Sequence, residues 1–434
     1  MSQTLSAPAP TATVDRWTTS YKALPKVQRA LLLILIGLTV LAICRVLADA
    51  NDLTSSGTFA ATLRVSAPLI CAGLAALWAE RVGIVNIGVE GMMILGTWFG
   101  AYGAWKYGPW VGLLLGILGG SLGGLLHALA TVRFNVSHVI SGIAINILAG
   151  GATNFLSAQA FVGHQGGGLS QSPPQKAPIP SINTPFLAGG KLFGWRSPDV
   201  MGWIEKRHWF LISDIASLIR GLTRDLSMAT LIVLALVPLS AWVLWRTRFG
   251  LRLRSSGEAP AAASSLGVNI PRLRYIGMAI SGALSGLGGA FLSIVAANLF
   301  REGQTGGQGF IGMATTIFGN WRPTGVLSGG LLFGFSSALR LRDAKNIPAL
   351  FLVIAIALAL IAIVAYRKRR TVAASVALVF GILAAIGFAT IDEVPQSLTF
   401  MTPHVITLIV LATATQRLRP PAYAGLPYRE GESH

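Results

Sequence analysis

Apolar stretches of about 20 residues, the length an α-helix needs to cross a bilayer, recur along this chain. They run near 30–48, 59–79, 84–105, 110–131, 139–162, 227–245, 274–296, 323–341, 349–366, 371–390 and 398–416. A further stretch, 310–319, is too short to cross alone and reads, with its neighbour, as a broken or steeply packed crossing. The pattern predicts an all-α polytopic membrane protein with twelve crossings. The organisation that follows is a tail over 1–29, a first transmembrane half over 30–162 and a loop over 163–226. A second half covers 227–348 with a loop at 246–273, a further helix pair covers 349–390, and a last span and tail cover 391–434.

An even number of crossings puts both ends on one side, and Lys and Arg in the short loops decide which. Basic tracts place the N-terminus, the 246–273 loop, Arg367–Arg370 and the C-terminus in the cytoplasm, with 163–226 outside. Within that long loop, Leu211, Ile215, Leu218, Ile219 and Leu222 follow helical spacing beside Arg220 and Arg224. Two readings fit: a helix lying on the membrane surface, or an ordinary amphipathic packing helix.

Composition agrees with the pattern. The chain is 53% hydrophobic and 12% charged, against about a quarter charged in soluble domains. A net charge of +18 raises the question of nucleic acid, but the basic residues lie in short tracts between spans, so no nucleic-acid polymer is expected. The stretch "ALLLILIGLTVLA" followed by "ADA" imitates a secretory signal; the polar lead over 1–29 and Arg45 argue against cleavage. Cys44 and Cys71 both sit in apolar stretches and offer neither a disulfide framework nor a metal site.

Small residues recur at four-residue spacing: Gly112, Gly116, Gly120 and Gly124, then Gly282 with Gly286, and Gly325 with Gly329. That spacing lets helix backbones approach closely and is a packing signal only. An internal repeat says more. "VEGMMILG" (89–96) resembles "GQGFIGMA" (307–314), which sets Glu90-Gly91 against Gln308-Gly309; downstream, Pro109 and Gly112 echo Pro323 and Gly325 across a four-residue gap. The two copies run in opposite directions in the predicted topology, as an inverted repeat requires.

Polar residues inside such spans are the candidates for chemistry. Asn86 and Glu90 stand four apart and would share one face of a helix. A carboxylate at bilayer depth costs roughly 2.5–3.5 kcal/mol on insertion scales. Glu90 and Asn86 either cap a helix and bond to freed backbone, or line and brace a translocation pathway at a broken helix. Asn146 and Asn154 pose the same alternative, and Gln308 joins them through the repeat. Lys191 lacks the glycine spacing and following Ser or Thr of a phosphate-binding loop. The histidines have no metal-ligand spacing, and no Ser/His/Asp grouping sits in a plausible polar pocket. No catalytic residue and no metal site are therefore expected.

A second segment, "RTRFGLRLRSSGEAPAAASSLGVNIPRLR" (246–274), combines arginines with helix signals. Gly257, Glu258, Ala259 and Pro260 open a helix of about two turns, with Glu258 at its positive end and Pro260 in its first turn. Gly267 stops it, and Ala262, Ala263 and Leu266 give it a small surface suited to a partner's groove.

Three quoted motifs carry a resemblance. "ERVGIVNIGVEGMMILG", "RTRFGLRLRSSGEAPAAASSLGV" and "GMATTIFGNWRPTGVLSGGLLFGF", with the closing "TPHVITLIVLA" and "RPPAYAGLPYRE", resemble permease subunits of bacterial ABC importers. The group is that of nucleoside and simple-sugar permeases, related to branched-chain amino-acid permeases, over roughly 59–162, 227–341 and 396–430. The resemblance implies that the segment around Glu258 seats on a separate ATP-binding cassette subunit, which holds ATP and Mg, so that this chain binds no cofactor. It also implies a second permease subunit in a heterodimer, a substrate-binding lipoprotein, membrane lipid as surroundings, and a multi-pass location in the bacterial plasma membrane. The solute it implies is a nucleoside, with simple sugars or branched-chain amino acids as alternatives. An ion-driven secondary transporter, with Glu90 as the ion site, is the competing class; the docking helix argues against it. The pair 349–390 and the length of 163–226 depart from the resemblance.

Overall fold

The computed structural model describes residues 24–192, 195–342, 346–367, 369–391 and 418–428. Its helices are α1 (Lys26–Leu47), α2 (Ser56–Arg81), α3 (Val89–Tyr107), α4 (Pro109–Ala128) and α5 (His138–Ala160). Then come α6 (Val200–Glu205), α7 (Ile212–Gly221), α8 (Met228–Arg246), α9 (Arg248–Glu258), α10 (Pro260–Ser265) and α11 (Ile270–Phe291). The series closes with α12 (Gln308–Phe318), α13 (Pro323–Arg342), α14 (Asn346–Arg367) and α15 (Thr371–Thr390). The chain is an all-α polytopic membrane protein: eight helices among the described residues are long and apolar enough to cross a bilayer. Among the described residues the strands form two short β-ribbons within and at the end of the 163–226 loop. The predicted span 398–416 lies outside the described residues.

Two three-helix units interlock. In the first, α2, α3 and α4 follow one another; in the second, α11, α12 and α13 do. α11 packs on α3 and α4 of the first unit, and α2 packs on α12 and α13 of the second. Glycine contacts give the directions. Gly116, Gly120 and Gly124 of α4 meet Gly286, Gly282 and Met278 of α11 in that order. Likewise Gly330 and Gly334 of α13 meet Ile70 and Ser66 of α2. Both pairs are antiparallel, so the units are related as an inverted repeat, in the sense read from "VEGMMILG" and "GQGFIGMA". A Cβ on Gly120 or Gly282 would stand 2.3 Å from a backbone carbonyl, which is why the stripe carries no side chain.

The helix starts are encoded locally. Ser55 accepts from the Thr58 amide, Asn269 from Arg272 and Thr247 from Gly250, and Pro109 and Pro260 occupy first turns. α8 separates the two faces of the molecule: the 163–226 loop precedes it, and α9 and α10 follow it. The stretch 349–390 is helical as expected, as α14 and α15, packed as a hairpin whose first member rests on α1.

Three expectations about element boundaries change. The span 84–105 begins as helix only at Val89, because residues 82–88 are irregular. Asn86 therefore lies in a break and shares no helix face with Glu90. The arginine-rich stretch before Pro260 is itself helical, as α9, and Glu258 ends that helix rather than starting the next.

Candidate functional site

Both breaks in the repeat converge. The first unit is interrupted over 82–88, the second over 297–307, after a π turn at Leu292–Ala296. The helices that resume, α3 and α12, start beside each other. The 11 residues of α12 rise about 16 Å, roughly half the ~30 Å hydrocarbon core, so the meeting point is near mid-depth. Two helix N-termini facing one spot leave several amides unpaired and concentrate positive dipole ends.

Glu90 answers that need. Its Oε1 accepts from the Gly307 amide at 2.9 Å and its Oε2 from the Gly309 amide at 2.7 Å, while the residue itself sits in the first turn of α3. The carboxylate thus serves both helix starts. Hydrogen bonds to a charged group contribute about 1.5–3 kcal/mol each, so two of them offset the roughly 2.5–3.5 kcal/mol of placing the charge there. Gly306 and Gly307 take positive φ, +55° and +79°, a turn that aims these amides at the carboxylate and that side-chain-bearing residues rarely adopt.

Asn146 of α5 seals the first break. Its Oδ1 accepts from the Gly91 amide at 2.7 Å and its Nδ2 donates to the Ile87 carbonyl at 3.1 Å. Asn86, fully buried, donates from Nδ2 to Ser281 Oγ at 2.9 Å, and Ser281 donates onward to the Ala75 carbonyl. Gln308 lies at the same junction, half-buried with its Oε1 enclosed. Four of the five expected pathway residues are therefore gathered at the paired breaks. The fifth, Asn154, is exposed at the other end of α5 and donates to Glu302 at 2.9 Å. Among the described residues no group of His, Cys, Asp and Glu is placed to hold a metal.

The second candidate surface lies at the α9–α10 face. α10 starts at Pro260 and ends before Gly267, whose φ is +78°. Pro260 and Ala263 are buried against the chain itself; Ala259, Ala262, Leu266 and Gly267 are exposed, Leu266 at 84%. Gly257 is buried against the body, and Glu258, half-exposed, reaches back to it. A Cβ on Gly257 would stand 2.4 Å from the Arg81 carbonyl. Glu258 pairs with Arg81 at 3.2 Å and accepts from the Ala422 amide. The sequence reading placed Glu258 at a helix start; its partner is Arg81, at the end of α2.

Arg81 was missed in the sequence, although it stands within the quoted "ERVGIVNIG". Besides Glu258, it donates to the Trp321 carbonyl at 2.8 Å and lies 5.3 Å from the Trp245 ring. The charged pair Glu80-Arg81 closing an apolar span was the available signal. Glu80 accepts from the Trp321 indole. The closing segment "RPPAYAGLPY" stitches the same area: Tyr423 donates to the Gly257 carbonyl at 2.9 Å and Gly425 to the Gly83 carbonyl at 3.1 Å. Arg419 donates to Asn320.

On the opposite face, α7 forms where expected, but its buried side is small and polar: Ser213, Asp214, Ala216, Ser217 and Gly221. Asp214 pairs with Arg45 at 3.0 Å. Arg220 binds Asp199 at 2.6 Å and Glu205 at 2.7 Å, and Glu205 accepts from the Ser56 amide at the start of α2. Burial pushes both carboxyls up, but Arg220 and the amides of Gly202 and Ser56 outweigh it. Asp199 and Glu205 are thereby held below the usual carboxylate range.

Comparison with known proteins places these features in company. Residues 58–364 match the family model described as the permease component of a branched-chain amino acid transport system. The guanosine ABC transporter permease protein NupQ of Bacillus subtilis is 34% identical over 307 residues, 68% of this chain and 86% of its own length. The nucleoside ABC transporter permease protein NupC of Lactococcus lactis is 33% identical over 299 residues, covering 66% of this chain and 84% of its own. A second Bacillus subtilis guanosine permease, NupP, is 26% identical over 314 residues, 66% of this chain and 75% of its own. No solved structure matches.

Proposed function

The chain belongs to the family of permease components of branched-chain amino acid transport systems, and from that premise we propose that it is one membrane subunit of an ABC importer for nucleosides. ATP and Mg sit on a separate ATPase subunit, which docks on α10 from the cytoplasm. A second, related permease completes the pathway, and a substrate-binding lipoprotein delivers the solute from outside. Both termini face the cytoplasm of a bacterial cell. The permeases named for guanosine and nucleosides support the solute class, and the two from Bacillus subtilis, at 34% and 26% identity, support a pair in which this chain resembles NupQ.

One observation carries the mechanism. The docking helix is joined to the mid-membrane junction by a short, continuous path. α10 follows Gly257 and Glu258, which rest on Arg81; Arg81 leads through Gly83 into the irregular 82–88 segment; that segment ends at Glu90, which holds the start of α12. A displacement of α10 by the ATPase is passed to the ends of two half-helices, where irregular backbone is free to rearrange around a cavity. Asn86 and Asn146 brace that segment, and Gln308 stands beside it. Glu90 is a poor ion site in this reading, since both its oxygens already accept from backbone amides.

The test is reconstitution with the ATPase, the second permease and the lipoprotein, measuring guanosine uptake and guanosine-stimulated ATP hydrolysis. Ala262→Trp and Leu266→Asp alter only the exposed side of α10 and should abolish both signals while the chain inserts normally. Glucose uptake in place of guanosine would move the solute to the sugar class. Uptake without the ATPase would overturn the reading.

A further inference from the structure

Arg274, in the first turns of α11, is 2% exposed. Among the described residues no acceptor reaches its Nε or Nη2, and its nearest ring is Tyr428, 5.5 Å from the guanidinium carbon. A buried cation without a carboxylate or phosphate partner is strongly unfavourable. This one lines a cavity of about 410 Å³ together with Arg133, Asn135, Pro271, Tyr275 and Tyr428.

The lining has a consistent chemistry. It offers two guanidinium groups, two phenol hydroxyls and one amide, and, among the described residues, no carboxylate. It opens at the start of α11, a 22-residue helix whose N-terminal end is electropositive and suits an anion. Planar guanidinium groups match phosphate oxygens two at a time. The volume equals that of roughly a dozen waters at ~30 Å³ each, more than inorganic phosphate requires and enough for a phosphate with an ester substituent.

We infer that this cavity is an anion site that takes a phosphate group, with Arg274 as its buried charge partner and Arg133 at its mouth. The site lies at the membrane end of α4 and α11, on the face that carries α10 and the closing segment, so the phosphate comes from a lipid headgroup or from a soluble phosphate ester. It does not use Glu90, but it adjoins the 82–88 break: Arg274 Nη2 would stand 3.0 Å from a Cβ on Gly83. It is independent of which solute is carried. An occupant would pin the start of α11 to the closing segment through Tyr428.

The experiment uses the full-length chain in lipid-stripped detergent. Inorganic phosphate is titrated calorimetrically, and phosphatidylglycerol retention is followed by native mass spectrometry with diacylglycerol as the phosphate-free control. Saturable binding of phosphate identifies a soluble source, and retention of phosphatidylglycerol over diacylglycerol a lipid source. In either arm, Arg133→Gln, at an exposed position, should weaken binding roughly tenfold or more, the loss of one charged hydrogen bond. Arg274→Lys should weaken it as well, because the point charge cannot span two oxygens. Binding of neither probe, or binding indifferent to both variants, overturns the proposal. So does binding that emerges only when residues 429–434 are removed, since Glu430 or Glu432 would then be the anion.

Discussion

Gly309 stands so close to Glu90 that a Cβ built on it would lie 2.7 Å from the Glu90 Cα and 2.8 Å from its nitrogen. The two helix starts therefore touch through backbone, and the carboxylate bonds exist only because this contact is bare. Gly309→Ala should force α12 away from α3 and weaken both amide bonds. Overpacking of this kind costs about 1–3 kcal/mol, so the midpoint of thermal unfolding in detergent should fall by several degrees. An unchanged midpoint would mean that the two helix starts do not pack as described.

Glu90→Gln keeps one oxygen but turns an amino group toward an amide donor, so one of the two bonds is lost. A stability decrease of about 1.5–3 kcal/mol is expected, with assembly retained and uptake altered. Glu90→Leu removes both bonds and leaves the Gly307 and Gly309 amides unpaired, so it should lose roughly twice as much and reduce assembly too. Equal stability for the two variants would show that the carboxylate is not the cap.

Asn146 holds the break from the α5 side. Asn146→Leu strands the Gly91 amide and the Ile87 carbonyl, at about 1–3 kcal/mol for each buried group left unsatisfied. Amide hydrogen exchange over 85–92 should accelerate while exchange in the middle of α4 stays unchanged. Uniform acceleration across the chain would instead mean global destabilisation.

The clasp of Arg220 on Asp199 and Glu205 predicts a pH dependence outside the membrane. Both carboxyls sit below their ordinary values in the folded state, so their stabilising effect is complete above the unfolded carboxylate pKa of about 4. It is lost as pH falls through the lower folded values. Acrylamide quenching of tryptophan fluorescence, with Trp203 and Trp209 beside the clasp, should rise over that acid range. Arg220→Met should show the higher quenching already at neutral pH; a wild-type-like profile would refute the link.

The segment proposed to dock makes a sharper contrast than the sequence suggested. Ala262 is exposed on α10, whereas Ala263 is 4% exposed and packed inward. Ala262→Trp should leave thermal stability unchanged and abolish stimulated ATP hydrolysis. Ala263→Trp should lower the chain's own stability, by about 1–3 kcal/mol for an overpacked site. Loss of hydrolysis with Ala263→Trp alone would place the contact on the other side of α10.

Local rules made much of this protein readable from its residues. Apolar length marked the spans, Pro260 and Gly267 bounded α10, and glycines at four-residue spacing marked the close crossings. The match of Glu90-Gly91 with Gln308-Gly309 announced the inverted repeat. These features depend on the conformation of a few neighbouring residues, or on burial along one face, and periodicity records both. What acts at long range was not recorded there. Glu90 finds its partner 219 positions away, Asn86 left its expected helix for a break pinned to Ser281, and Glu258 turned from a helix start to Arg81. Each outcome was decided by which segments the interlocked units bring together at one depth, because an unpaired amide or charge in a bilayer takes the nearest complementary group that packing supplies.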